Sequence, residues 1–143
     1  MTKRNSEIAR KFAGGAYMGY NTHMFIEGIA IYSYSHSFPI AKRFKNIFLM
    51  NSDGYSPTTK HHKMLVFHAL NANGKTIIFL PDCDIQRAYP QKEMNDKGIE
   101  KFKIRLFRAR TRQGYYRSGI KNFIKQNKLI DEMIIPYMIA EKL

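Results

Sequence analysis

This 143-residue chain has one cysteine, one valine and, across one long stretch, no acidic residue. The single cysteine, Cys83, excludes an intramolecular disulfide and any cysteine-based zinc site. Its neighbours Asp82 and Asp84 disfavour a thiolate, which argues against a nucleophilic role. The uncharged run from Gly28 to Ala41 is too short and too polar to span a bilayer. The N-terminus is charged (Lys3, Arg4, Glu7, Arg10, Lys11) and has no apolar core of the signal-peptide kind. These absences predict an intracellular, cytoplasmic protein without a membrane partner. No glycine-rich run of the P-loop type occurs, and the five histidines and scattered acids give no metal spacing. Neither a metal nor a cofactor is therefore expected.

Charge is the strongest positive signal. The formal net charge is +13, and it is concentrated. From Lys101 to Lys128 there are ten cations and no acid, whereas Lys75 to Glu100 holds four cations and five acids. On a helix, like charges three and four residues apart repel by a few tenths of a kcal/mol per pair, so the segment carries a standing cost of roughly 1–2 kcal/mol. A polyanionic partner would relieve it. Arg105, Arg108, Arg110, Arg112, Arg117 and Lys121 are the candidate phosphate contacts, and Tyr115 and Tyr116 supply rings for base stacking.

The length suits one domain with its own hydrophobic core. Within it we expect an N-terminal arm over 1–15, a sheet with a helix over 22–95, and a basic helical region over 96–143. Asn5 or Ser6 can cap a first helix that Gly14-Gly15 ends. Segments Met24 to Tyr34, Pro39 to Phe44 and Asn46 to Met50 read as a meander, and Thr76 to Leu80 as one more strand. Tyr32 and Tyr34 would share one sheet face, directed into the core. Ser56-Pro57 starts a helix, with serine at the N-cap and proline at the first helical position. Pro90 and the mixed charges after it suggest a surface loop. Lys101 to Leu106 alternates like a strand, yet Ile99, Phe102, Leu106 and Ala109 also form a helical stripe; helix is favoured. Gly114 should break that helix before a second one from Tyr116 to Lys128. The expected fold is α+β: a small antiparallel sheet of three or four strands packed against helices, with a basic helical C-terminal region.

Three fragments, "YSYSHSFPIAK" (32–42), "YSPTTKHH" (55–62) and "RARTRQGYYR" (108–117), together resemble a group of short phage-encoded proteins. In that group a Tyr-Ser-Tyr-Gly segment ending in Ile-Ala precedes Tyr-Ser-x-Thr-Thr-x-Lys/Arg-His, and a basic helical tail follows. This chain has Ser35 where the group usually has glycine. The resemblance implies a phage origin and brings no established activity, so no catalytic residue is carried over.

The second fragment holds another cluster: Ser56, Thr58, Thr59, Lys60, His61 and His62. A capped helix start explains these residues structurally. The same geometry, with free backbone N–H groups at the positive end of the helix dipole, makes them a candidate anion site. Adjacent His61 and His62 point about 100° apart on a helix and cannot chelate one metal. His68 is expected to be hydrogen-bonded and partly buried. A set of Ser56, His61 and Asp53 can be drawn but is unspecific. The sequence thus favours a small phage accessory protein that binds DNA or RNA without catalysis. The alternatives are an anti-defence or host-takeover inhibitor that binds a host protein or ribonucleoprotein complex, and a small nuclease using His61 or His62 as general base.

Overall fold

The computed structural model describes residues 4–54 and 56–142. The chain divides into two compact units, one ending at Asp84 and the other beginning at Ile85.

The first unit opens with helix α1 (Asn5–Ala13). Its N-cap is Arg4, whose donor-only guanidinium cannot cap; Asn5 and Ser6, the caps expected, lie inside the helix, and the Asn5 side chain bonds His62 and Asn21 instead. Gly14 closes the helix and Gly15 follows at φ 99°, a conformation that glycine adopts without strain. Strands β1 (Met18–Tyr20), β2 (Met24–Glu27), β3 (Ala30–Ser33), β4 (Pro39–Phe44) and β5 (Ile47–Asn51) form an antiparallel meander. Helix α2 (Pro57–Ala72) then carries the chain back to β6 (Ile77–Leu80), which pairs parallel to β5. The sheet order is sequential, β1 to β6.

The α+β class holds, but the sheet has six strands rather than three or four, and it is mixed rather than antiparallel. Three local causes account for the difference. Gly28, at φ 63°, folds Met24 to Tyr34 into a hairpin instead of one strand. Met18–Tyr20 adds an edge strand too short to show alternation. A helix joining β5 to β6 permits the parallel pairing that a short turn cannot make.

Helix α1 is not a peripheral arm. Ile8 and Phe12 from α1, Ile26, Ile31, Phe48 and Met50 from the sheet, and Val66 and Leu70 from α2 form one buried cluster. Each such side chain contributes about 1.5–3 kcal/mol on burial. Arg43 fastens α1 to the sheet. Its guanidinium donates to the carbonyls of Phe12 (2.7 Å), Ala16 (2.6 Å) and Gly28 (3.0 Å), with its carbon 4.5 Å from the Phe12 ring centroid and 5.0 Å from that of Tyr17. Burial pushes its pKa down, while Tyr17 acts in the opposite sense.

In the second unit, helix α3 (Ala88–Arg108) and helix α4 (Gln113–Met133) are joined by four residues, and α5 (Ile135–Lys142) follows. Lys101 to Arg108 is helical, as expected. Ile99, Phe102, Leu106 and Ala109 are all half-buried, as their stripe predicted. The loop expected at Pro90 is instead the first turn of α3, where a missing N–H is tolerated. The break falls at Ala109–Arg112, before Gly114. Arg112 takes the left-handed turn position at φ 60°, and Gly114 lies inside α4.

The two long helices form an antiparallel hairpin. Lys92 meets Asp131, Asn95 meets Asn127, and two glycines receive rings from the opposite helix. A Cβ on Gly98 would lie 2.7 Å from the Phe123 ring, and one on Gly119 would lie 2.2 Å from that of Phe102. The glycines are therefore holes for aromatic knobs. Gly119→Leu should cost about 1–3 kcal/mol by overpacking, visible as a lowered urea midpoint. An unchanged midpoint would mean that the Phe102 ring swings away freely.

Candidate nucleic-acid interface

The hairpin distributes the proposed phosphate contacts over its two helices and their connection. Arg105 and Arg108 lie in the last two turns of α3, Arg110 and Arg112 in the turn, and Arg117 and Lys121 on α4. All six are exposed. The reason is the Phe102 stripe: once that side of α3 packs on α4, the cations between its members are left on solvent-facing sides. Among the described residues no ion pair involves any of the six, whereas Lys103 and Lys128 approach Glu100 and Glu132. Tyr115 is exposed, but Tyr116 is half-buried, its ring 5.6 Å from Phe102 and 5.4 Å from Tyr115. Tyr116 therefore belongs first to the packing at the hairpin's end, which leaves Tyr115 as the accessible ring.

The helix-start cluster comes out differently. Ser56 is the N-cap of α2, with its Oγ accepting from the Thr59 amide at 3.3 Å and lying 3.1 Å from the Thr59 hydroxyl. The Lys60 amide bonds the Ser56 carbonyl, and Pro57 has no N–H. Among the described residues that leaves the Thr58 amide of the first turn without a partner. Ser56, Thr58, Lys60 and His61 are exposed, but Thr59 is buried and His62 is 1% exposed. The six residues named as an anion site are thus not brought together. Thr59 and His62 face inward, and the amide cradle is largely consumed by capping. Tyr55, part of the same fragment, lies outside the described residues.

His62 is instead the centre of a buried polar network. Its Nδ1 lies 2.7 Å from Ser33 Oγ, and the Asn5 amide donates to its Nε2 at 3.4 Å. Asn21 Nδ2 donates to Asn5 Oδ1 at 2.6 Å, which fixes which end of the Asn5 amide faces the imidazole. Nε2 therefore accepts, and Nδ1 carries the proton toward Ser33. The two "YS" fragments of the sequence meet at this pair, from β3 and α2. The rings of His23 and Tyr34 lie 6.4 Å and 5.6 Å from that of His62. Tyr34 is not a core residue. It leaves the strand at φ 64° and is 54% exposed, while Tyr32 stacks half-buried on Phe25 at 5.0 Å.

The Ser33–His62 pair is a serine–histidine contact between residues 29 apart in the chain, and it differs from the unspecific Ser56–His61–Asp53 set that the sequence offers. The available signal was that both fragments carry hydroxyl and imidazole groups; nothing local linked them. The pair is not an activated nucleophile. The imidazole directs its proton, not its lone pair, at the serine, and both side chains are buried. Ser56 is occupied as a cap, so the Ser56–His61–Asp53 set does not assemble. His68 is exposed, packing edge-on against Phe67. Cys83 is buried, and its thiol is pushed up to about 12, first by desolvation and further by the carboxylate of Asp82. No group of His, Cys, Asp or Glu among the described residues could hold a metal ion, and no described helix is long and apolar enough to cross a membrane.

Burial lowers the pKa of His62, and the nearby His23 and His61 lower it further. The unfolded chain therefore binds a proton at this position before the folded one does. Stability from this group is complete above the ordinary histidine value of about 6.5 and is lost as pH falls from there toward the lower folded value. Urea midpoints should fall between pH 7.5 and pH 5. The fall should be smaller in His62→Gln; an identical fall in that variant would contradict the assignment.

A shallow recess of about 330 Å³ beside the end of α1 is lined by Tyr17, Arg43, Lys45 and Lys75 among others. Its arginine already donates to three backbone carbonyls, so fewer of its N–H groups are left for a ligand in the recess. Compared with protein-family models, with curated proteins and with solved structures, the chain matches none.

Proposed function

We propose that this is a small phage accessory protein that binds nucleic acid without catalysis through the α3–α4 hairpin. The reading rests on one observation above the rest: six exposed cations without an ion-pair partner among the described residues, on a hairpin with no acid from Lys101 to Lys128. A solvated helix face normally intersperses both signs; here the repulsion is left for a polyanion to relieve. Backbone phosphates fit this array better than one acidic side chain does, because the cations are spread over both helices and the turn. The nuclease alternative loses support, since His62 is buried and bonded and His61 stands exposed with no hydrogen bond among the described residues.

Fluorescence anisotropy against labelled single-stranded DNA, duplex DNA and RNA tests the proposal. It predicts saturable binding with the oligonucleotide recovered intact. Cleaved product would return the protein to the nuclease class. Absence of binding to all three, with co-purification of a host protein, would favour the inhibitor reading.

A further inference from the structure

Phe107 has no place in the packing described so far. It is 92% exposed, more than any other large apolar side chain described, and it sits one residue before the end of α3. Phe102, five positions earlier, is rotated about 140° from it around the helix, so the ring that locks the hairpin and the ring that leaves it point to different sides. Ile104, one turn back on the Phe107 side, is 54% exposed. Around Phe107 along the chain stand Arg105, Arg108, Arg110 and Arg112, all exposed.

An apolar ring this exposed among arginines fits a partner with negative charge and flat apolar faces on the same molecule. Nucleic acid has that combination, with phosphates at every step and a π-face on every base. Resting on the binding function proposed above, we propose that the hairpin tip is a single-strand site, in which Phe107 stacks on an unpaired base while Arg105, Arg108, Arg110 and Arg112 hold the flanking phosphates. A duplex fits less well. A wedge between paired bases has to offset their unstacking and needs a ring braced by its own protein, and Phe107 has no such brace. Stacking on a base that is already unpaired needs none.

The chain contains no tryptophan, so Phe107→Trp places a single indole emitter at the tip. The parent, Phe107→Ala and Phe107→Trp proteins are titrated with oligothymidylate, with duplex DNA and with phosphatidylserine vesicles. Phe107→Ala should weaken single-strand binding by about tenfold, and Phe107→Trp should restore it with quenching of the indole on the single strand. Single-strand affinity of Phe107→Ala within about twofold of the parent, when the parent binds, would overturn this inference and leave the binding function standing. Equal quenching on duplex would make Phe107 a wedge, and a blue shift confined to vesicles would make it a membrane contact; either overturns the single-strand site. A parent that binds no nucleic acid would remove both readings together.

Discussion

Changing Arg105, Arg108, Arg110 and Arg112 together to glutamate should reduce nucleic-acid affinity by at least about a hundredfold at moderate salt while leaving the fold intact. The magnitude follows from counterion release: each lost phosphate contact removes a favourable term, and each new carboxylate adds repulsion. The fold should survive because all four side chains are exposed and none forms an ion pair among the described residues. Surface changes of this kind ordinarily shift stability by no more than about 0.5 kcal/mol each. Relief of the like-charge repulsion acts in the stabilising direction. Circular dichroism and a urea midpoint check the fold, and anisotropy checks the affinity. Retained binding in a folded variant would remove these arginines from the interface.

His62→Ala should have the largest effect on stability, roughly 3 kcal/mol, read from the urea midpoint. Two terms combine. Removing a side chain that is 1% exposed leaves a cavity among α1, β3 and α2. It also strips Ser33, 3% exposed, of its partner at 2.7 Å, at about 1–3 kcal/mol for a buried group left unsatisfied, and leaves the half-buried Asn5 amide without its acceptor. Domains of this size are held by only about 5–15 kcal/mol, so the loss is a large fraction of the whole. Nucleic-acid affinity of the folded fraction should not change. A loss below about 1 kcal/mol would mean that water fills the site and satisfies both partners.

Local chemistry was legible wherever it decided the structure. Ser56-Pro57 announced the start of α2 because an N-cap hydroxyl and a proline without an N–H are satisfied together only there. The stripe through Phe102 placed Lys101 to Arg108 on a helix because its members meet only at that spacing. Long-range pairing was not legible. Met18–Tyr20 is a strand because β2 lies beside it, and the parallel β5–β6 pair depends on where α2 returns the chain. Gly114 misled as a helix breaker because the turn is made by Arg112 in a left-handed conformation, which its side chain does not advertise. The six residues of the candidate anion site are divided for a similar reason. A helix start exposes some of its residues and buries others, and only packing decides that Thr59 and His62 face inward.

The slope of log affinity against log salt concentration tests the central claim most directly. Six phosphate contacts from Arg105, Arg108, Arg110, Arg112, Arg117 and Lys121 predict a slope of about −4 to −6, at the shallower end on a single strand. It should flatten in proportion as these residues are replaced. A slope near zero, or one unchanged by the four-residue glutamate variant, would contradict nucleic-acid binding through the α3–α4 hairpin.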